Sequence, residues 1–324
     1  MIPWEAAWSA ALYGPQGFYR RPEGPVGHFR TASHAAAPIL AAALTRLAAE
    51  LAAGAVVDIG AGRGELLNAL ASTRTTAHSA PDATPPVLHG VDVVERPPGL
   101  APTVGWTEGL DRLDPAALAG ALVVVWEVLD VVPCPVVERA EDGELRIVLV
   151  DEQGTEALGT AAAAGERTWC ERWWPLPDPG DRAEVGRPRD LWWSELVQQA
   201  LGAGAVALLA VDYAHVAGQR PPGGSLAAYR GGRRVPPMPD GDCDLTAHVA
   251  LDSVAHAGEA AGARTLEFTD QRTALRRLGL RGKATAGEPV TAASLQRISA
   301  EAELIDPGGL GGFGWLLQGP HGGN

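Results

Sequence analysis

Ala55-Val56-Val57-Asp58-Ile59-Gly60-Ala61-Gly62-Arg63-Gly64 is the stretch whose reading decides the fold. Its first five residues have the length and apolar weight of a strand buried on both faces. Three glycines in the next five positions demand a turn that lets backbone approach a ligand closely. Glu65 to Ser72 then has a helical pattern, so the stretch predicts strand, glycine turn and helix in succession. Further apolar runs at Val87–Val94, Ala121–Trp126 and Val206–Val211 alternate with helical patterns, among them Ala35–Leu51. That alternation predicts an α/β fold with a mostly parallel central sheet and helices on both faces.

The glycine turn admits two nucleotide readings. A dinucleotide site wants GxGxxG, with a pyrophosphate resting on the helix N-terminus. Here Arg63-Gly64-Glu65 misplaces the third glycine and puts a carboxylate in the first helical turn, where phosphates would be repelled. S-adenosylmethionine carries an ammonium, which Asp58 would attract, and a ribose diol, which Asp92 would accept at the end of the next strand. Gly60, Ala61 and Gly62 would supply the backbone cradle, and a plain turn without ligand is the bland alternative. Trp106 has two readings, an indole beside an adenine or core packing.

The fourth apolar run ends in Trp126-Glu127-Val128-Leu129-Asp130-Val131-Val132-Pro133. In open α/β sheets ligands gather at the carboxyl ends of strands. If a helical turn begins there, Glu127 and Asp130 share one side and suit a cationic acceptor such as a guanidinium. The competing reading is a helix N-terminus stabilised by acids. From Val136 to Asp190 the pattern changes: two short strands flank Asp142-Gly143 as a hairpin, followed by a tryptophan-rich piece. Residues 136–190 read as an insertion in one domain of 1–324. The remainder divides into an N-terminal helical and loop lid (1–53), a cofactor-binding half (54–135) and a C-terminal half of the sheet domain (191–324).

Several motifs together resemble the MidA-like family of class I S-adenosylmethionine-dependent methyltransferases, whose mitochondrial members assist respiratory complex I assembly. Tyr13-Gly14-Pro15-Gln16-Gly17-Phe18-Tyr19 and Gly27-His28-Phe29-Arg30-Thr31-Ala32 are similar to its N-terminal signatures. Asp58–Gly64 resembles E-x-GxGRG, and Glu127–Pro133 resembles the E-x-x-DALP part of its next motif. Val211-Asp212-Tyr213-Ala214-His215, Gly224–Gly231, Asp244–Val249 and Thr269-Asp270-Gln271 look like four more. The resemblance implies a Rossmann-like class I methyltransferase with an N-terminal lid and an inserted substrate-side element. It implies cofactor contacts at Asp58, Gly60, Ala61, Gly62, Asp92 and Glu127. Catalysis would fall to Glu127 and Asp130, with a substrate cleft of His28, Phe29, Thr31, Trp126, Asp212, Tyr213 and His215. The expected acceptor is an arginine of a protein partner. A small metabolite or peptide natural product is the second expectation, because Trp126 replaces the family's Asn, and a non-catalytic cofactor-binding assembly factor is the third.

Composition narrows the rest. The 324 residues carry a net charge of −13, which disfavours nucleic acid as a partner. Cys134, Cys170 and Cys243 have neither disulfide-framework nor zinc spacing, and no metal is expected. Met1-Ile2-Pro3-Trp4-Glu5 has no leader pattern and no run reaches membrane length, so a cytoplasmic protein off the membrane is expected, with a homodimer possible. Ten tryptophans are an unusual number beside four Tyr and four Phe, and five of them lie between Trp169 and Trp193. Packing of the insertion is the favoured reading of that cluster, ahead of a cation-stacking cleft or a protein contact.

Overall fold

The structure, a computed structural model, describes residues 1–21, 32–76, 85–284 and 289–322. Seven strands form its largest sheet: β1 (Ala55–Ile59), β2 (Val87–Asp92), β3 (Val104–Glu108), β4 (Ala121–Trp126), β5 (Ala207–Asp212), β6 (Ala263–Asp270) and β7 (Gly314–Pro320). Their order is β6-β7-β5-β4-β1-β2-β3. The pairs β1–β2, β2–β3, β1–β4 and β4–β5 are parallel, whereas β6 and β7 run antiparallel. All residues of β1, β4 and β5 are buried, which explains why each reads as a continuous apolar run and not as an alternation.

The chain divides into two compact units. One comprises Arg30–Glu127, Val197–Val211 and Gly262–Asn324 and contains most of this sheet. Its core joins Val56, Leu88, Leu122, Val124 and Leu209 to the helices Ala32–Glu50, Glu65–Thr76 and Ala292–Leu304 through Leu40, Leu44, Leu67 and Leu304. The first of these helices carries Pro38 and is kinked at Ala36. Proline has no N–H to donate and its ring crowds the preceding turn.

The other unit comprises Met1–Phe29, Val128–Leu196 and Asp212–Ala261. Residues 136–190 therefore pack with the N-terminal segment and with 212–261. Ile2–Pro3, Leu145–Val150, Val136–Arg139 and Arg182–Glu184 lie side by side, with Glu156–Ala161 also paired to Leu145–Val150. The expected hairpin turns at Gly143, φ +80°. The N-terminal helix Trp4–Tyr13 is tied down by aromatic polar atoms: the Trp8 indole donates to the Leu245 carbonyl at 3.0 Å, and the Tyr13 hydroxyl to that of Val131 at 3.0 Å. The Tyr19 hydroxyl reaches Asp244 at 2.8 Å. Trp169 and Trp174 are buried in a cluster with Val137, Cys170 and Val185, so these two indoles pack their own unit. All three cysteines are free and buried.

Among the described residues no helix is long and apolar enough to cross a membrane, and no three His, Cys, Asp or Glu are grouped to hold a metal. Close packing makes β2 a sensitive point. A Cβ at Gly90 would lie 2.6 Å from the Trp106 ring and 2.7 Å from Leu67 Cδ1. Gly90→Ala is expected to destabilise by about 1–3 kcal/mol, read as a lowered midpoint in a urea or thermal melt. An unchanged midpoint would contradict this packing.

Candidate active site

The glycine turn hangs from the end of β2. The Gly60 and Ala61 N–H groups both donate to the Val91 carbonyl, at 2.8 and 3.1 Å. The Gly62 N–H donates to Asp92 at 2.7 Å, and the other Asp92 oxygen takes the Val93 N–H at 2.7 Å. Gly60, Gly62 and Gly64 have φ of +75°, +58° and +77°, a region open to glycine at little cost. Asp58 lies beneath this turn, 4% exposed. Burial and the neighbouring carboxylates of Asp92 and Glu65 push its pKa up to about 8. Burial raises Asp92 too, against the Gly62 and Val93 amides that pull it down. No Lys or Arg pairs with Asp58 among the described residues. Three acids around a glycine turn with no counter-cation on Asp58 repel a pyrophosphate and suit a ligand offering an ammonium and a diol. The residues present therefore fit S-adenosylmethionine.

The loop after β4 is governed by the end of β5. The Glu127 N–H donates to the Val211 carbonyl at 2.8 Å. The next three amides, Val128, Leu129 and Asp130, all donate to one oxygen of the Asp212 carboxylate, at 3.1, 2.8 and 3.2 Å. Its other oxygen takes the Tyr213 N–H at 2.8 Å. Held this way, Glu127 has φ +55°, a left-handed conformation that a non-glycine residue seldom adopts. No helical turn begins at Glu127, because its left-handed φ of +55° is not helical.

Asp130 is 5% exposed and accepts the Thr246 hydroxyl at 2.6 Å. Burial raises its pKa, while the Thr246 hydroxyl and the Arg189 guanidinium pull it down. The other substrate-side expectations separate. Asp212 and His215 are 1% and 4% exposed, whereas Tyr213 is exposed and stacks on His248 with ring centroids 5.7 Å apart. Trp126 is buried, edge-on to Trp315 at 5.8 Å, within the core of its unit. His28, Phe29 and Thr31 lie outside the described residues. Sequence reasoning passed over Arg189 and Glu184, buried charges whose partners are mostly backbone groups far along the chain.

A protein-family profile described as "Putative S-adenosyl-L-methionine-dependent methyltransferase" matches residues 89–269. A crystal structure of a Burkholderia thailandensis protein bound to S-adenosyl-homocysteine superposes with a TM-score of 0.78 at 23% identity, covering 98% of this chain and 87% of that one. A native structure of an uncharacterized protein from the same species gives 0.77 at 23% identity, with the same coverage. No curated protein matches the chain. Strand order, glycine turn and acids define a class I methyltransferase that uses S-adenosylmethionine. The chain belongs to the profiled family, the MidA-like S-adenosylmethionine-dependent methyltransferases.

The left-handed Glu127 generates a specific expectation. Glu127→Gly should stabilise the protein by about 0.5–1 kcal/mol, since glycine relieves the φ penalty, while methyl transfer is lost with the carboxylate. Glu127→Gln should lose activity without that gain. A melt in which the glycine variant falls below the glutamine variant would show that the conformation is unstrained.

Proposed function

We propose that this methyltransferase holds its cofactor on the β1–β2 side and transfers the methyl group to an arginine side chain of a protein partner. Asp58 binds the cofactor ammonium, Asp92 accepts the ribose hydroxyls, and the Gly60-Ala61-Gly62 backbone lies against the ligand. The observation that carries the reading is the cluster of Asp58, Asp92 and Glu65, in which burial and the neighbouring acids keep Asp58 protonated until a cationic ligand favours its ionised form. When bound, the cofactor supplies an electrophilic methyl group on a sulfonium. Glu127, fixed in a conformation that costs energy, is the acid presented to the acceptor; strain of this kind is retained where a residue must be preorganised. A carboxylate can take two parallel N–H bonds from a guanidinium and so orient one nitrogen for attack. Asp130, buried and bonded to the Thr246 hydroxyl, serves the loop instead. The packing of Trp126 against Trp315 weighs against its bulk as a reason for a small-metabolite acceptor.

Two measurements test this. In the ligand-free protein Asp58 is protonated below pH about 8, and its ionised form is the one that pairs with an ammonium. Its raised pKa favours the ligand-free fold below the unfolded value, and that contribution is lost as pH rises through about 8. Binding of S-adenosyl-homocysteine should therefore release about one proton near pH 6.5 and tighten as pH climbs toward 8. Calorimetry in buffers of different ionisation enthalpy reads this directly, and Asp58→Asn should abolish the proton release. Uptake of no proton and release of none by the native protein would remove Asp58 from the site. For the acceptor, mass spectrometry of cells with and without the gene should show methylarginine that disappears with the gene; an unchanged protein methylarginine profile would overturn the arginine assignment.

A further inference from the structure

Two buried indole N–H groups in the unit that contains most of the large sheet have no acceptor. Trp126 is 9% exposed and Trp315 0%, and neither Nε1 has a hydrogen-bond partner among the described residues. The two rings meet edge-on, with centroids 5.8 Å apart and planes at 90°. An indole nitrogen can only donate, so each is an unmet donor shut away from water. Leaving such a donor unmet is costly, and native proteins keep few of them. Gln271 Oε1, a third unmet atom of this unit, is an acceptor and cannot serve an anion.

Both indoles belong to the unit that carries the glycine turn. β1 and β4 are paired in parallel from Ala55 with Ala121 to Ile59 with Val125, so Gly60 leaves β1 beside Trp126. Side chains alternate along a strand, and neighbours in register share a face. Asp58 is paired with Val124, so Trp126, two residues on, rises from the same face as Asp58. The amino-acid end of S-adenosylmethionine carries its ammonium and its carboxylate on one carbon. With the ammonium at Asp58, the carboxylate needs N–H donors close by. The turn has few to offer: the amides of Gly60 and Ala61 are bonded to the Val91 carbonyl, that of Gly62 to Asp92, and that of Gly64 to the Ala61 carbonyl at 2.8 Å. Asp92 and Glu65, close enough to raise the pKa of Asp58, repel a further carboxylate. Trp126, with Trp315 against it, brings two uncommitted donors to the Asp58 face.

We propose that the indole N–H groups of Trp126 and Trp315 bind the carboxylate of the cofactor's amino-acid end. The inference rests on the reading of Asp58 as the ammonium site and not on the identity of the methyl acceptor. Uncharged donors hold a carboxylate without competing for Asp58, which a Lys or Arg at the same place would pair with. The ligand in turn meets two donors that the ligand-free protein leaves without a partner.

The test uses the full chain with isotope-labelled indole nitrogens, S-adenosyl-homocysteine, and the analogue of that ligand lacking only its carboxylate. Trp126→Phe and Trp315→Phe each keep an aromatic ring, remove one N–H, and identify that indole's magnetic-resonance signal by its loss. In the native protein both signals should move downfield with S-adenosyl-homocysteine and stay in place with the analogue. By calorimetry, each variant should bind S-adenosyl-homocysteine about tenfold more weakly than the native protein, the scale of a lost bond to a charged group, and bind the analogue within about threefold of native. A merely structural loss would weaken both ligands alike, and that result overturns the proposal. Indole signals that both ligands move equally, or that neither moves, overturn it as well. Failure of the native protein to bind S-adenosyl-homocysteine at all would defeat the cofactor reading and this inference with it.

Discussion

One carboxylate at the end of β5 sets the conformation on which the active-site loop depends. Asp212 receives three successive N–H groups, from Val128, Leu129 and Asp130, on a single oxygen. Three donors converging on one anion amount to a nest, and removal of the anion would leave all three amides unpaired. With Glu127 left-handed, β4 is not continued by a helix. Glu127 is left at the hinge with φ +55°. The family resemblance placed Asp212 in a substrate cleft; its four backbone bonds give it the prior task of shaping the loop.

Charge elsewhere is used in two opposite ways. Around the glycine turn, Asp58, Asp92 and Glu65 are brought together with no Lys or Arg on Asp58 among the described residues, so in the ligand-free protein Asp58 keeps its proton up to about pH 8. In the other unit, Glu184 and Arg189 are buried and their hydrogen bonds are made largely to backbone. They act as fixed points for loops and not as ligands. The net charge of −13 argued only against nucleic acid; its structural meaning lies in these local arrangements.

The sheet was legible because β1, β4 and β5 are buried throughout and so appear as short apolar runs, and because a glycine turn follows the first of them. The Asp142-Gly143 hairpin was legible for a similarly local reason. What the sequence hid is non-local. Trp8 and Leu245 are 237 positions apart, and Asp212 lies 82 to 84 positions beyond the amides it binds. No periodicity reports such pairings. The spacing of Glu127 and Asp130 suggested one helical face, but spacing carries no information about an anion arriving from another strand. Trp126 stood out as a departure from its motif, and only packing against Trp315 accounts for where its bulk goes.

The most direct measurement of this dependence is residue-resolved hydrogen exchange at the amides of Val128, Leu129 and Asp130, in the native protein and in Asp212→Ala. If Asp212 sets the loop, the three amides are protected in the native protein and lose that protection together in the variant, while the buried amides of β1 stay slow. Rapid exchange at all three in the native protein, or protection that survives removal of the carboxylate, would contradict it.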